Sequence, residues 1–366
     1  MNTEQTFNVG VIDDNRSEIE KLADYKQSEL VSSYVAPKWQ AKTLDQCRNF
    51  PIFNQDGSGS CVAQTMAKLL GINYFLENGD YVHFSATHIY QRRSNRPTAG
   101  MAGVNAFEIA KEGVTLEELV PSQDMSDSAM DAVEIQSYKK QVGQIFKIGG
   151  YLFLNNGDID QVASTIEATK KGVMIWIFAD FNEWTEVPAI LNPSLTKETA
   201  PIRHSITVVD YMLYNGKKAL VVEDSWGVGY GKGGRRIITE DFFKARNYFS
   251  GYVMNFNFSG VPVDVNEKPY YFNMAMQFVE DPALTRNERD FLNDTQKGEV
   301  KELQKVLQQQ GYFPNNVDCT GYYGSVTAKA VLKWQIANRV DTVEELTKLK
   351  GWYFGKKSLA VINSQA

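Results

Sequence analysis

Apolar residues at helical spacing mark the first half of a long, mixed central region. After Cys61, the residues Val62, Met66, Leu69 and Leu70 fall at positions i, i+4, i+7 and i+8, which is one face of a helix. The predicted helices cover 61–77, 104–113 and 158–171, and strand-like runs follow at 173–180, 205–213, 218–224, 235–239 and 252–258. Helices first and strands later predict an α+β fold in which the two kinds of element are segregated.

The chain outside this region divides into further segments. Residues 1–36 are polar and mildly acidic, with one weak helical pattern, and we interpret them as an N-terminal extension or a short pro-segment. Residues 258–297 carry prolines and scattered charge with little periodicity, which indicates a connector. The central domain is therefore predicted at 37–257, and residues 298–366 form a separate unit.

The last of these segments contains a turn followed by a helix more than once. The run VKELQKVLQQQGYF places Val300, Leu303, Val306 and Leu307 on one helical face and ends at Gly311. The run TGYYGSVTAKAVLKWQ then puts a glycine-rich turn before a second helix, and KGWYFGKKSLAVIN repeats that pattern in looser form. This internal repeat predicts a small three-helix domain.

Composition and charge exclude several classes of protein. The 366 residues carry a formal net charge of −6, so no electrostatic feature favours nucleic acid or an anionic membrane. No apolar run is long enough to span a bilayer, and the N-terminal sequence MNTEQTFNVGVIDDNRSEIEK shows no signal peptide, which predicts cytoplasmic synthesis. Cys47, Cys61 and Cys319 are odd in number and widely spaced, so we expect no disulfide framework, no metal site and no cofactor.

Cys61 lies where a small, flexible loop gives way to a helix, in the stretch FNQDGSGSCVAQ. Gly57 and Gly59 allow backbone conformations that other residues resist. The macrodipole and free N–H groups at a helix N-terminus favour an anion, and a thiolate is the form in which cysteine acts as a nucleophile. The alternative is a small buried apolar cysteine without a chemical role.

A base for such a thiol must come from three histidines. His83 and His88 have no strand–turn context, and capping or core-edge roles account for them better. His204 begins a strand that leads to Asn215-Gly216, a strong hairpin signal, and the return strand ends at Asp224. The hairpin therefore brings His204 and Asp224 to one end, although a single bulge would reverse which faces meet. A carboxylate there would hold the imidazole in one orientation. The alternative is that Asp224 is a turn residue at the end of the strand, which is a common role for aspartate.

Three separated motifs together resemble the papain family of cysteine peptidases. Asn54–Cys61 resembles the family's nucleophile segment, His204 followed by a small residue resembles its base, and Asp224-Ser225-Trp226-Gly227 resembles its Asn-Ser-Trp-Gly. The motifs occur in the family's order within residues 37–257. The resemblance implies a two-lobed fold, with a helical lobe and an antiparallel β lobe, and a cysteine endopeptidase activity.

The resemblance also implies a role for each catalytic candidate. Cys61 would attack the scissile carbonyl as a thiolate, and His204 would hold the proton and return it to the leaving amine. Gln55 would join the Cys61 backbone N–H around the developing oxyanion. Asp224 replaces the orienting asparagine of the family, and its charge would raise the pKa of the histidine.

Substrate-binding candidates follow from the same resemblance. Gly100-Met101-Ala102-Gly103 resembles the glycine-rich strip whose backbone pairs with an extended substrate, with Gly103 as the first candidate and Ala102 beside it. Trp226 resembles the tryptophan that shields the histidine from water, and Ser205 is the small residue after the base. Two departures are that Ser58 stands where the family usually has a disulfide cysteine and that Val62 replaces an aromatic residue.

The C-terminal unit, 298–366, resembles a peptidoglycan-binding domain of the three-helix type, in the runs LQKVLQQQGYF, TGYYGSVTAKAVLKWQ and GWYFGKKSLAVI. A plain helical interaction module is the alternative. We therefore expect a cysteine endopeptidase acting on peptide or protein substrates and tethered to the bacterial cell wall after release or lysis, or carried in a virion. The alternatives are a phage-type or bacterial lytic enzyme that cleaves peptidoglycan peptides, and an inactive papain-like binding scaffold, which only Asp224 favours.

Overall fold

The chain divides into two compact units. The computed structural model describes residues 10–27, 35–191, 195–197, 199–257, 272, 276–277 and 294–364. The first unit comprises Met1–Asn15 and Ser33–Phe258, and the second comprises Arg16–Ser32 and Ser259–Ala366. The first helix among the described residues, α1 (Glu18–Leu22), thus belongs to the second unit. The predicted connector, 258–297, lies largely outside the described residues.

The first unit contains a helical part built around one long helix. This helix, α2 (Cys61–Asn78), begins at Cys61 as predicted and ends before Gly79, which adopts a left-handed conformation with φ of 84°. Its residues are buried from Cys61 through Asn73, as expected for a helix that is covered on every side. The other helices of the unit are α3 (Ala86–Tyr90), α4 (Gly103–Glu112), α5 (Asp127–Ala132), α6 (Ser137–Gly143), α7 (Ile159–Thr169), α8 (Phe181–Thr185) and α9 (Glu240–Arg246), with a 3₁₀ turn at Leu44–Gln46.

The rest of the unit is an antiparallel sheet of six strands in the order β1-β6-β2-β3-β4-β5. The strands are β1 (Lys147–Phe153), β2 (Val173–Ala179), β3 (Ile202–Tyr214), β4 (Lys217–Glu223), β5 (Arg235–Thr239) and β6 (Asn247–Asn257). Five of them match the predicted strands. β1 was not predicted, because its sequence KIGGYLF is short and interrupted by two glycines.

The predicted hairpin joins β3 to β4. Tyr214 pairs with Lys217, and both turn residues have positive φ, 49° at Asn215 and 78° at Gly216, as a two-residue hairpin turn requires. The register shifts between Val208 and Asp210, which is the irregularity that sequence alone could not locate. Helix α2 packs on β2, β3 and β6 and also against α3 and α4, so the core lies between the sheet and the helical part. The predicted segregated α+β fold is confirmed.

The second unit is helical and carries a short two-stranded pair. Its described elements after α1 are β7 (Met276–Gln277), α10 (Asp294–Gln309), α11 (Ser325–Ala337), α12 (Val343–Leu349), β8 (Tyr353–Phe354) and α13 (Lys356–Ser364), with β7 paired to β8. The helix α12 is an addition to the predicted pattern, since seven residues give little periodicity. No helix among the described residues has the length and apolar character needed to cross a bilayer.

Side-chain hydrogen bonds repeat within this unit. The Gln304 amide donates to the Tyr322 carbonyl oxygen and the Thr327 hydroxyl, 18 and 23 residues further along. The Gln335 amide makes the same two kinds of bond, to residues Tyr353 and Ser358, at the same separations of 18 and 23 residues. The internal repeat seen in the sequence is therefore a structural repeat, in which a buried glutamine fixes the turn before the next helix.

Two glycines of the second unit provide a matched test of its packing. Gly311 and Gly351 share a φ of 77°, but a Cβ at Gly311 would meet nothing within 4 Å, whereas one at Gly351 would overlap the Ala328 carbonyl oxygen. We expect Gly311→Ala to cost about 1–2 kcal/mol from the left-handed backbone alone. Gly351→Ala should cost at least about 2 kcal/mol more, because α11 must move. Hydrogen exchange of α11 peptides measures both, and equal losses of protection would contradict this packing.

Candidate active site

Cys61 is the first residue of α2 and is completely buried, with 0% of its surface exposed. Burial raises the pKa of its thiol to about 12, although backbone hydrogen bonds from Ser205, Val62 and Cys61 itself act in the opposite direction. The Ser205 contact brings β3 to the start of α2, and the Ser205 hydroxyl also donates to Thr65 Oγ1 at 3.1 Å. The thiol is therefore neutral in this arrangement, although the surrounding backbone favours its anion.

The chain's own N-terminal residues cover this thiol. A Cβ on Gly10 would overlap the Cys61 sulfur. Around Gly10 the backbone runs parallel to Met101: the Met101 N–H donates to the Gly10 oxygen at 2.8 Å, and the Ile12 N–H donates to the Met101 oxygen at 3.2 Å. Val11 between them is buried. We call Gly10–Asp13 the covering segment.

The contacts of the covering segment with the other described residues are few and of modest strength. Its two backbone hydrogen bonds contribute about 1 kcal/mol each, the buried Val11 side chain about 2 kcal/mol, and the Asp13–Arg203 ion pair, 2.8 Å long and solvent-exposed, at most about 1 kcal/mol. Fixing the backbone of four residues costs about 1–2 kcal/mol per residue. The gain and the cost are of similar size, so the segment is held only weakly by its own contacts.

His204 lies on β3 opposite Ile177 of β2 and is 2% exposed. Its ring is 5.0 Å from the Trp226 ring and 6.1 Å from the Trp184 ring, measured between centroids. Among the described residues, its Nε2 atom has no hydrogen-bond partner. Burial lowers the pKa of His204 to about 4, Asp224 acts to raise it, and Arg236 acts to lower it. The net shift is opposite to the rise expected from Asp224 alone, because burial outweighs that charge.

Asp224 follows β4, and both of its carboxylate oxygens accept hydrogen bonds from residues other than His204. Its Oδ2 accepts hydrogen bonds from the Trp184 indole N–H at 3.1 Å and from the Arg236 guanidinium, and its Oδ1 accepts one from the Trp226 backbone N–H at 3.0 Å. The Asp224 and Arg236 side chains are both fully buried. The expected orienting hydrogen bond to His204 is not among the bonds of Asp224 in the described structure. Arg236, which the sequence pattern did not single out, is its ionic partner.

Gln55 connects the nucleophile loop with the segment after Asp224. Its backbone N–H donates to the Ser225 oxygen at 2.8 Å, and its side-chain Oε1 accepts from the Ser225 hydroxyl. Its side-chain amide donates to the Ser58 oxygen. The neighbouring residues Asn54 and Trp226 form an antiparallel bridge. The loop before Cys61 and the Trp226 segment are therefore fastened together.

Glu223, directly before Asp224, forms a second buried ion pair. Lys68 on α2 donates to Glu223 Oε2 at 2.8 Å, and both side chains are buried. Glu223 Oε1 accepts from the Phe50 backbone N–H at 2.9 Å. The pair ties α2 to the end of β4, directly before Asp224. Charged residues in a sequence usually indicate surface positions, so the pattern gave no sign of this pair.

The substrate-binding candidates differ in their surroundings. Gly103 is the first residue of α4, and a Cβ there would overlap the Trp176 indole, so it faces the core. Ala102 precedes the helix as its N-cap residue and is buried. Within this run, Met101 is the residue whose backbone pairs with an extended segment. Its side chain gave no reason to prefer it to a glycine.

The two other histidines contact an aromatic ring or a backbone group, and the two other cysteines are buried or half-buried. His83 stacks on Phe53 with ring centroids 5.4 Å apart, and His88 Nδ1 accepts from the Thr115 backbone N–H at 3.3 Å. Cys47 is buried, and Cys319 is half-buried; all three cysteines are free. Among the described residues, no group of histidine, cysteine, aspartate and glutamate side chains could hold a metal ion.

Comparisons with known proteins agree with this geometry. A family model described as papain family cysteine protease matches residues 36–244, and one for a peptidoglycan binding domain matches residues 296–342. The structure resembles a digestive procathepsin L2 proteinase from the larval midgut of Tenebrio molitor, with a TM-score of 0.55, 19% identity, and coverage of 68% of this chain and 79% of that chain. It also resembles xylellain, a cysteine protease from Xylella fastidiosa, with a TM-score of 0.53, 18% identity, and coverage of 67% and 96%. At these identities the likeness concerns the fold. No curated protein sequence matches the chain.

The buried histidine should be neutral at ordinary pH. We expect the ring carbon signal of His204, one of three in the chain, to stay in its neutral form from pH 7 down to about pH 5 in an NMR titration, because its pKa is near 4. The unfolded chain binds this proton first as the pH falls below 6.5, so the folded state loses stability between pH 6.5 and about 4. His204→Gln assigns the signal, and a midpoint at or above pH 6.5 would rule out this environment.

Removal of only one partner of the buried Asp224–Arg236 pair should lower the free energy of unfolding more than removal of both. Arg236→Met leaves an unpaired buried carboxylate and should lower the free energy of unfolding by about 3–5 kcal/mol. The double variant Asp224→Asn with Arg236→Met removes both charges and should recover much of that loss. Urea unfolding of the single and double variants gives the coupling energy. A single Arg236→Met variant as stable as the wild type would contradict the pairing.

Proposed function

The chain belongs to the papain family of cysteine proteases and is a cysteine peptidase, and on this premise we propose that Cys61 and His204 act as its thiolate–imidazolium pair. The helix N-terminus at Cys61 and the backbone groups of Ser205 and Val62 favour the anion. Proton transfer from the thiol to His204 requires that water reach both groups, since burial keeps both of them neutral.

Hydrolysis then proceeds in two stages. The Cys61 sulfur bonds to the scissile carbonyl carbon, the C–N bond breaks, and His204 gives its proton to the leaving amine. Water, deprotonated by His204, next attacks the thioester, and the C–S bond breaks. Gln55 and the Cys61 backbone N–H would donate to the oxyanion in both stages. Although one N–H of Gln55 donates to Ser58, the amide carries a second one.

Asp224 differs from the family's asparagine in charge, and Arg236 offsets that difference. The two fully buried side chains form one ion pair, so His204 lies beside a group with little net charge. Arg236 also stacks over the Trp184 ring at 4.8 Å and donates to the Trp184 carbonyl oxygen at 2.6 Å. We interpret the pair as an electrical substitute for a neutral amide. This removes the one observation that favours an inactive binding scaffold.

The C-terminal part of the chain would bind the peptidase to the cell wall, and the N-terminal part would inhibit it. We propose that residues 298–366 bind peptidoglycan and tether the peptidase of residues 37–257 to the cell wall, across a connector at 258–297; the match of a peptidoglycan binding domain to residues 296–342 supports this. Residues 1–36 would act as a pro-segment, since Gly10 lies over the thiol. The wall association also supports the second candidate function, a lytic enzyme that cleaves peptidoglycan peptides.

Cys61→Ala tests the proposed nucleophile on both substrate classes. We expect the full chain to cleave casein, purified sacculi or both, and Cys61→Ala to lose at least about 10³-fold in rate on whichever substrate is cleaved, because no other group forms the acyl-enzyme. Cys47→Ala and Cys319→Ala are the matched controls and should retain the activity. Product release from sacculi alone would identify the lytic enzyme. Undiminished cleavage by Cys61→Ala would refute the proposed chemistry.

A further inference from the structure

The segment that directly follows the covering segment belongs to the other unit. Gly10–Asp13 cluster with the peptidase unit, whereas Arg16–Ser32 cluster with the C-terminal unit. Only Asp14, Asn15 and Arg16 separate Asp13 from the start of the second part at Ser17. We call Ser17–Tyr25 the anchor segment. One short stretch of chain thus covers the nucleophile with its first half and joins the peptidoglycan-binding unit with its second.

The anchor segment is built into the C-terminal unit by apolar and polar contacts. Ile19 and Ala23 of α1 are buried against Leu332 of α11 and Leu346 of α12. The Tyr25 hydroxyl donates to the carbonyl oxygen of residue 312 at 2.8 Å. These contacts join α1 to the helices of that unit as a part of its core.

Further contacts fix both ends of the anchor segment. The Ser17 hydroxyl and the Glu20 side chain form a capping box at the start of α1. Asp24 accepts two hydrogen bonds from Arg16, at 2.9 and 2.7 Å, and its carbonyl oxygen accepts one from Lys329 at 2.6 Å. The anchor segment therefore combines apolar burial and ion pairing with a capped helix, which the covering segment lacks.

The hydrogen bond of the Gly10 carbonyl group differs from the one expected for a scissile carbonyl group in the proposed oxyanion site. The carbonyl oxygen of Gly10 accepts its hydrogen bond from Met101, whereas the side-chain amide of Gln55 donates to Ser58. The Gly10 carbonyl oxygen is therefore bound by the Met101 N–H and not by the side chain of Gln55. Gly10 also needs to be a glycine, because any side chain would overlap the sulfur.

We propose that the C-terminal unit keeps the active site closed by holding the anchor segment, and this inference rests on the proposed function of Cys61. The contacts of the covering segment with described residues are worth about as much as the cost of ordering it. The adjoining anchor segment adds to them by holding the C-terminal end of the covering segment. Attachment at a second place raises the effective concentration of the covering segment at the thiol. Removal of α1 from the C-terminal unit should therefore expose the Cys61 thiol without any change in the residues around it.

The rate of Cys61 alkylation by iodoacetamide in the full chain tests this, because it reports exposure of the thiol whether or not the chain cleaves peptides. Ile19→Lys should undock α1 and raise the rate about tenfold or more. Leu22→Lys is the matched control on the same helix, because Leu22 is 45% exposed, and it should leave the rate unchanged. Gly10→Val should raise the rate directly, and Gly229→Val, at a glycine with open space around it, should not.

The outcomes distinguish anchoring by the C-terminal unit from the proposed peptidase chemistry of Cys61. Faster alkylation in both Ile19→Lys and Gly10→Val, with intact N-termini by mass spectrometry, supports the proposal. Faster alkylation in Gly10→Val alone would show covering without anchoring and overturn it, as would no change in either variant. If alkylation accelerates in both but no peptide is cleaved, the anchoring holds and the proposed peptidase chemistry fails.

Discussion

Exclusion of water from Cys61 is the constraint on which the chemistry of this molecule depends. Burial holds the pKa of the thiol near 12 and that of His204 near 4, so neither group is charged in the closed arrangement. The same thiol lies at the start of α2, next to backbone groups that favour an anion. Access of water therefore separates an inert site from a reactive one, and Gly10 lies against the sulfur, where we propose that it limits that access.

Buried charge organises the other side of the site. Glu223 and Asp224 are consecutive, and each has its own buried cation, Lys68 for the first and Arg236 for the second. Such pairs contribute little net stability compared with apolar residues of equal size, but each is costly to break. They fix the end of β4 relative to α2 and β5. The position of the Trp226 segment over His204 follows from that arrangement.

The sequence predicted those features that depend on local patterns. The helix start at Cys61, the segregated α+β fold and the Asn215-Gly216 hairpin were all correct, because each rests on spacing or on a turn residue. The partner of Asp224 was not predicted, since Arg236 meets it only through the pairing of β4 with β5. Met101 was passed over for Gly103, because backbone pairing carries no side-chain signal. The weak helical pattern in residues 1–36 corresponds in part to α1 (Glu18–Leu22), but nothing in it indicated that Ile19 would pack on Leu332.

The pH dependence of Cys61 alkylation, compared between the wild type and Gly10→Val, tests the central claim most directly. In the wild type the rate should show no inflection below about pH 9, because the covered thiol stays neutral. In Gly10→Val the inflection should fall below the ordinary cysteine value of about 8.5, as the helix N-terminus, the Ser205 backbone and a hydrated His204 stabilise the thiolate. An equally high inflection in both proteins would show that burial by Gly10 does not control the nucleophile.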